Sequence, residues 1–163
     1  MKDIRIKHVE ARTPTGLYVH FEGERARRTI DLGGWIATGG EILAPLRDPE
    51  LFARVKPSDY GAAISWDNGD GDLSIDALHL KKIADEQRPF DNGELRTWQQ
   101  RVMISNAEAA DFVGVSQSTW ATYRVNANIP RSVGIAIRAS ERDPLLLQAH
   151  LRPRRAGRPR KTG

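Results

Sequence analysis

Residues 105–124, SNAEAADFVGVSQSTWATYR, read as two short helices joined by a glycine turn. Ser105 and Glu108 have the spacing of a capping box, in which hydroxyl and carboxylate satisfy the free amides of a first helical turn. Ala109, Ala110 and Val113 then share one face, and small side chains there let another helix approach closely. Gly114 ends the helix, because glycine accepts the positive φ of a closing residue. Val115 plugs the corner and Ser116 caps the second helix. On that helix Trp120 and Tyr123 face inward with Thr119 near them, while Gln117, Ser118, Ala121 and Thr122 face outward. Such a hairpin suits a second helix laid in the major groove of DNA, the alternative being an alanine-rich hairpin that only packs.

The pattern Ala110-x-x-Val113-Gly114-Val115-Ser116-x-x-Thr119-Trp120-x-x-Tyr123 resembles the Cro and phage-repressor type (Xre) helix-turn-helix family. The resemblance implies that outward residues at the start of the second helix read bases or clasp phosphates. Carried over by position, Gln117, Ser118 and Thr122 are base-edge candidates and Ala121 a contact for a thymine methyl. Glutamine suits the role, since its amide pairs bidentately with adenine. Arg124 stands where the family often has glutamate, and Trp120 is bulkier than the usual aliphatic residue.

Flanking segments supply further helices. Leu95, Trp98 and Val102 share a face of a helix over 94–103. Ile129-Pro130 marks a helix start with proline at the first helical position, and Val133, Ala136 and Ile137 form its inner side. Asp143-Pro144 repeats the signal before Leu145, Leu146, Leu147 and Leu151. These leucines fit either core or a dimer contact, and their spread over more than one face favours core. Five helices over 94–151 match the family's fold.

Residues 152–163 are basic, carry two prolines and lack apolar periodicity, so a disordered tail is expected. Gly157-Arg158-Pro159, flanked by Arg154, Arg155, Arg160 and Lys161, resembles an AT-hook. That resemblance implies an extended segment in the narrow minor groove of A·T-rich DNA, where concentrated negative potential attracts arginine. A tail touching phosphates without sequence preference is the other reading.

Charge is divided unevenly. Residues 94–163 hold 12 basic against 5 acidic side chains, whereas residues 1–93 hold 13 against 16. The positive half is therefore the half with the helix pair, which points towards nucleic acid. Arg124 and Arg131 are the phosphate candidates within it. No cysteine occurs, which excludes disulfides and thiolate metal sites. No apolar run approaches a membrane span and MKDIRIKHVE has no signal-peptide core, so a soluble cytoplasmic protein is expected.

The first half follows a different period. Ile4, Ile6 and Val9 predict one strand, and Leu17, Val19 and Phe21 alternate with polar partners in a second. Arg28, Ile30 and Leu32 form a returning strand. Residues 49–55 predict a short helix, residues 62–66 a strand, and Ser74 the cap of a helix over 75–86. Leu17-Tyr18-Val19-His20-Phe21-Glu22-Gly23, Thr29-Ile30-Asp31-Leu32, Leu46-x-x-Pro49-x-Leu51-Phe52 and Ile64-Ser65-Trp66 resemble an uncharacterised bacterial family, domain of unknown function 2442. That family implies a fold and no chemistry.

Catalytic and metal signals are weak. Asp67-Asn68-Gly69-Asp70-Gly71-Asp72 has glycine at two ligand positions of a calcium loop, so a hairpin turn is expected. Gly33-Gly34 and Gly39-Gly40 fit no nucleotide-binding spacing and read as loop glycines. His8, His20, His79 and His150 show no ligand spacing. We expect no enzyme and no cofactor.

The sequence therefore predicts an α+β chain. Residues 1–87 are a small α+β domain, 88–93 a linker, 94–151 an all-α helix-turn-helix domain and 152–163 the tail. The expected function is sequence-specific binding to double-stranded DNA by a homodimeric transcriptional regulator, a repressor by preference. The alternative is an antitoxin-like or adaptor protein whose first domain holds a protein partner or small ligand.

Overall fold

In the first half, alternating apolar residues build two antiparallel sheets. The computed structural model describes residues 3–12 and 14–154, and the chain divides into compact units Met1–Arg88 and Pro89–Gly163. Strands β1 (Ile6–Ala11), β2 (Gly16–Phe21) and β3 (Arg28–Asp31) form one sheet in that order, with Leu17 opposite Ile30. Leu17, Val19 and Phe21 are buried while Tyr18 and His20 between them are only half-buried, as a period of two requires.

Short helical and extended pieces follow. Helices α1 (Gly33–Thr38), α2 (Gly40–Leu43) and α3 (Pro49–Phe52) precede a second sheet of β4 (Lys56–Ser58), β5 (Ala63–Ser65) and β6 (Ser74–Asp76). The paired glycines expected in loops instead open α1 and α2. Asp31 Oδ1 accepts from the Gly33 amide at 2.8 Å, and this places Ile36 in the core.

Ser74 does not cap a helix. Residues 74–76 pair with β5, because Ile75 meets Ile64 across the ladder and buries there. Asp76 takes over the cap, accepting from the His79 amide at 2.9 Å, and α4 runs Ala77–Gln87.

Trp66 closes this core. Its ring lies 6.0 Å from Trp35 and 5.7 Å from Phe52, and its Nε1 donates to the Phe52 carbonyl at 3.0 Å. At the edge, Arg28 reaches Asp85 at 2.8 Å and Lys81 reaches Glu24 at 2.7 Å, joining β3 and α4.

The second unit is helical: α5 (Asn92–Val102), α6 (Asn106–Val113), α7 (Gln117–Tyr123), α8 (Arg131–Arg142) and α9 (Pro144–His150). Helix α5 starts two residues before the expected Glu94, because Asp91 caps it by accepting from the Glu94 amide at 2.7 Å. Pro130 is the cap of α8 rather than its first residue. Leu95, Trp98, Ala109, Ala110, Trp120, Tyr123, Val133 and Ile137 form the core. The leucines of α9 contribute less than expected, since none is fully buried. Leu147 packs against that core, whereas Leu145 is 63% exposed. With seven residues on more than one face, α9 cannot bury them all against one neighbour. Among the described residues no helix is long and apolar enough to cross a membrane.

Two glycines of positive φ differ in what surrounds them. Gly61 (φ +86) follows Asp59 and Tyr60, also at positive φ, and a Cβ there would lie 2.5 Å from the Ile6 carbonyl oxygen. Gly114 (φ +79) has open space around it. Both alanine variants should destabilise by about 1 kcal/mol from backbone strain alone. Gly61→Ala should lose at least twice as much through its clash with β1. Equal shifts in the urea midpoints of the two variants would contradict this.

Candidate nucleic-acid interface

The helix pair α6–α7 is built by its caps. Ser105 Oγ accepts from the Glu108 amide at 3.1 Å and Glu108 Oε1 accepts from the Ser105 amide at 2.9 Å, completing the reciprocal box. The Ser105 amide and hydroxyl hold the Glu108 carboxyl below the ordinary carboxylate range. Gly114 closes α6 in the left-handed region, and its amide returns to Ala110 and Asp111. Two residues later Ser116 Oγ accepts from the Thr119 amide at 3.1 Å and starts α7. Val115 is half-buried at the corner and packs on the core.

Helix α7 is sharply two-sided. Trp120 and Tyr123 are buried, while Gln117, Ser118, Ala121 and Thr122 are exposed. The outer face carries no charge. Thr122 Oγ1 donates to the Ser118 carbonyl at 2.9 Å, and the Ser116 and Ser118 hydroxyls lie 3.1 Å apart. These hydroxyls are engaged locally but keep acceptor capacity. Gln117 has no intramolecular partner among the described residues, so its amide presents both donors and acceptor outward. That is the donor–acceptor pair that an adenine edge accepts.

What holds α7 at this angle is a polar stripe on α5 that sequence reasoning missed. Asn92, Arg96 and Gln99 recur at spacings of four and three, one helical face. Asn92 Nδ2 donates to the carbonyls of Tyr123 at 2.6 Å and Ala127 at 2.9 Å. Arg96 Nη1 donates to the Arg124 carbonyl. Gln99, only 6% exposed, uses its whole amide. Its Oε1 accepts from Trp120 Nε1 at 3.0 Å and from Arg124 Nη1, and its Nε2 donates to the Ile104 carbonyl at 3.1 Å and to Asn106 Oδ1 at 2.9 Å. The available signal was this polar stripe beside the apolar Leu95–Trp98–Val102 stripe.

The remaining predicted residues are scattered around that frame. Arg124, expected to reach outward to phosphate, is half-buried with one guanidinium N–H turned in to Gln99. The neutral side-chain carbonyl of Gln99 is an acceptor that the guanidinium can use. Arg131 is exposed on the first turn of α8. Arg154 is exposed, and its amide donates to Glu108 Oε2 at 3.3 Å, which brings the start of the tail to the first turn of α6. Arg155, Arg158, Arg160 and Lys161, and with them the Gly157-Arg158-Pro159 motif, lie outside the described residues. Elsewhere, among the described residues no group of three or more His, Asp or Glu is placed to hold a metal ion.

No protein-family model matches the chain, and no curated protein does. Among solved structures the chain is similar to one named "Putative DNA Binding Protein NE0471", from Nitrosomonas europaea, with 26% identity over 86% of this chain and 90% of that one and a TM-score of 0.44.

Two outcomes follow from the geometry. Gln99→Leu leaves Trp120 Nε1 and the Asn106 and Ile104 oxygens without partners, so urea unfolding should show a loss of about 2 kcal/mol or more. A loss no greater than that of an exposed α5 substitution such as Thr97→Ala would contradict the hub. Because the folded Glu108 carboxyl titrates below its unfolded value, its contribution is complete above the ordinary glutamate range. It is lost as pH falls through the lowered value. Melting temperatures between about pH 3 and 6 should therefore fall further for the wild-type chain than for Glu108→Gln.

Proposed function

We propose that this chain is a sequence-specific DNA-binding protein that regulates transcription, with α7 in the major groove. The observation that carries the reading is the outer face of α7: four exposed, uncharged residues on a helix whose inner face and C-terminal end are fully anchored. An uncharged face of amide, hydroxyl and methyl groups suits base edges, which are read by hydrogen bonds and apolar contact. Affinity in this reading comes from cations of the second unit, namely Arg131, Arg154 and the arginines and lysine of residues 155–161.

A helix pair of this size reads few base pairs, so a homodimer on a palindromic site is part of the proposal. Repression is the preferred mode, because a protein seated on a site blocks it without a further partner. The reading assigns the chain no reaction and no cofactor, and places it in the cytoplasm. The basic tail acts on phosphates or in the minor groove. The resemblances to the Xre and domain of unknown function 2442 families belong to this proposal as well.

A second reading, an adaptor or antitoxin-like protein, has one observation in its favour. Tyr60 is 98% exposed on a turn whose Asp59, Tyr60 and Gly61 all have positive φ. A fully displayed aromatic on a constrained turn is the kind of anchor a protein partner takes.

Selection of bound sequences from random duplex DNA tests the first reading. An enriched, two-fold symmetric motif is expected. Gln117→Ala with Thr122→Ala should flatten the preference by about 1–3 kcal/mol per contacted base while leaving the melting temperature unchanged. Selection that yields no motif, or a motif the double variant still prefers equally, would remove α7 from the recognition role.

A further inference from the structure

We propose that the groove between α5 and the C-terminal end of α7 is a phosphodiester-binding site built on Arg96 and Arg124, a clamp on the DNA backbone beside the base-reading helix. This rests on the DNA-binding reading above and goes beyond it in naming a site, its residues and its ligand group.

The groove is open, has a volume of about 730 Å³, and is lined by Arg96, Thr97, Gln99, Gln100, Met103 and Arg124 among others. Among the described residues no carboxylate lines it. The two guanidinium groups are held there by neutral acceptors, Arg96 by the Arg124 carbonyl and Arg124 by the Gln99 amide oxygen. Two other arginines of this unit are paired directly with carboxylates. Arg101 meets Glu141 at 2.5 Å, and Arg138 meets Glu94 at 3.1 Å. Among the described residues neither Arg96 nor Arg124 lies within ion-pair distance of a carboxylate.

Two like charges sharing one groove repel, and the half-buried Arg124 has also given up part of its hydration. An anion between them removes both costs. Each guanidinium has five N–H donors and each spends one inside the protein, so forks remain to take the paired oxygens of a phosphate. Gln100 and Thr97 add neutral polar atoms at the rim. The position selects a phosphodiester over a free anion, because the groove adjoins the helix whose outer face is neutral. In a duplex the bases are flanked by backbone in the same way.

A purely structural role for Arg96, capping the last carbonyls of α7, is the competing account. Gln100→Glu separates the two. Residue 100 lies four after Arg96 on the same helix, so the new carboxylate pairs with Arg96 and neutralises the groove without removing any contact. The full-length wild type, Arg96→Gln and Gln100→Glu are titrated with a labelled random-sequence duplex over a range of salt concentrations. Each variant should flatten the slope of log K against log salt by about 0.9, which is about an eightfold loss of affinity at 0.1 M salt. The melting temperature of Gln100→Glu should stay level or rise, opposite to the effect of a lost structural contact. Wild-type binding with an unchanged slope and affinity in Gln100→Glu overturns the clamp and leaves the DNA-binding reading standing, whether or not Arg96→Gln folds. Absence of duplex binding by the wild type at low salt overturns both.

Discussion

The buried amide of Gln99 is the constraint on which the second unit depends. A neutral polar group placed in a core is tolerated only when its hydrogen-bonding capacity is met, and here both lone pairs and both N–H groups are used. Its four partners belong to α6, α7, the C-cap of α7 and the turn before α6. An apolar side chain at this position would bury as well but specify no angle, because hydrophobic contact is non-directional. Trp120 shows the difference. Its ring meets Trp98 edge-on at 6.1 Å, and its N–H is the handle that fixes how the ring, and the helix carrying it, is turned.

The first unit solves the orientation problem differently. Its directional element is Trp66, whose N–H is tied to the Phe52 carbonyl while its faces stack on Phe52 and Trp35. Strand register supplies the rest, since a slip of one residue would turn Leu17, Val19 and Phe21 to the solvent. Charges close only the edge, where Arg28, Glu24, Lys81 and Asp85 form a network that is partly exposed and therefore contributes modestly.

Local signals were legible in the sequence wherever chemistry acts within one turn. Ser105 with Glu108, Gly114 and Ser116 each act on backbone groups three to four residues away, so their spacing is enough to place α6, the turn and α7. The outward face of α7 follows from the same helical period. Signals that depend on distant partners were not legible. Ser74 has the form of a helix cap, yet residues 74–76 pair with a strand that the turn at 67–72 brings alongside. Arg124 looks like a fully extended surface cation until Gln99, 25 residues earlier, is seen to take one of its N–H groups. Asn92, Arg96 and Gln99 individually resemble ordinary exposed helix residues. Only the position of α7 gives the stripe its meaning.

Among the described residues the attachments of α7 run through its inner side, the main-chain carbonyls at and just beyond its C-terminal end and the cap residue before it. Among the described residues none runs through the side chains of Gln117 or Ala121, and Ser118 and Thr122 make bonds within the helix and its cap. The helix is therefore a socket with interchangeable contents. A lineage carrying this framework can exchange those four side chains through successive substitutions, each nearly neutral for folding, and arrive at a different preferred surface without passing through an unstable intermediate.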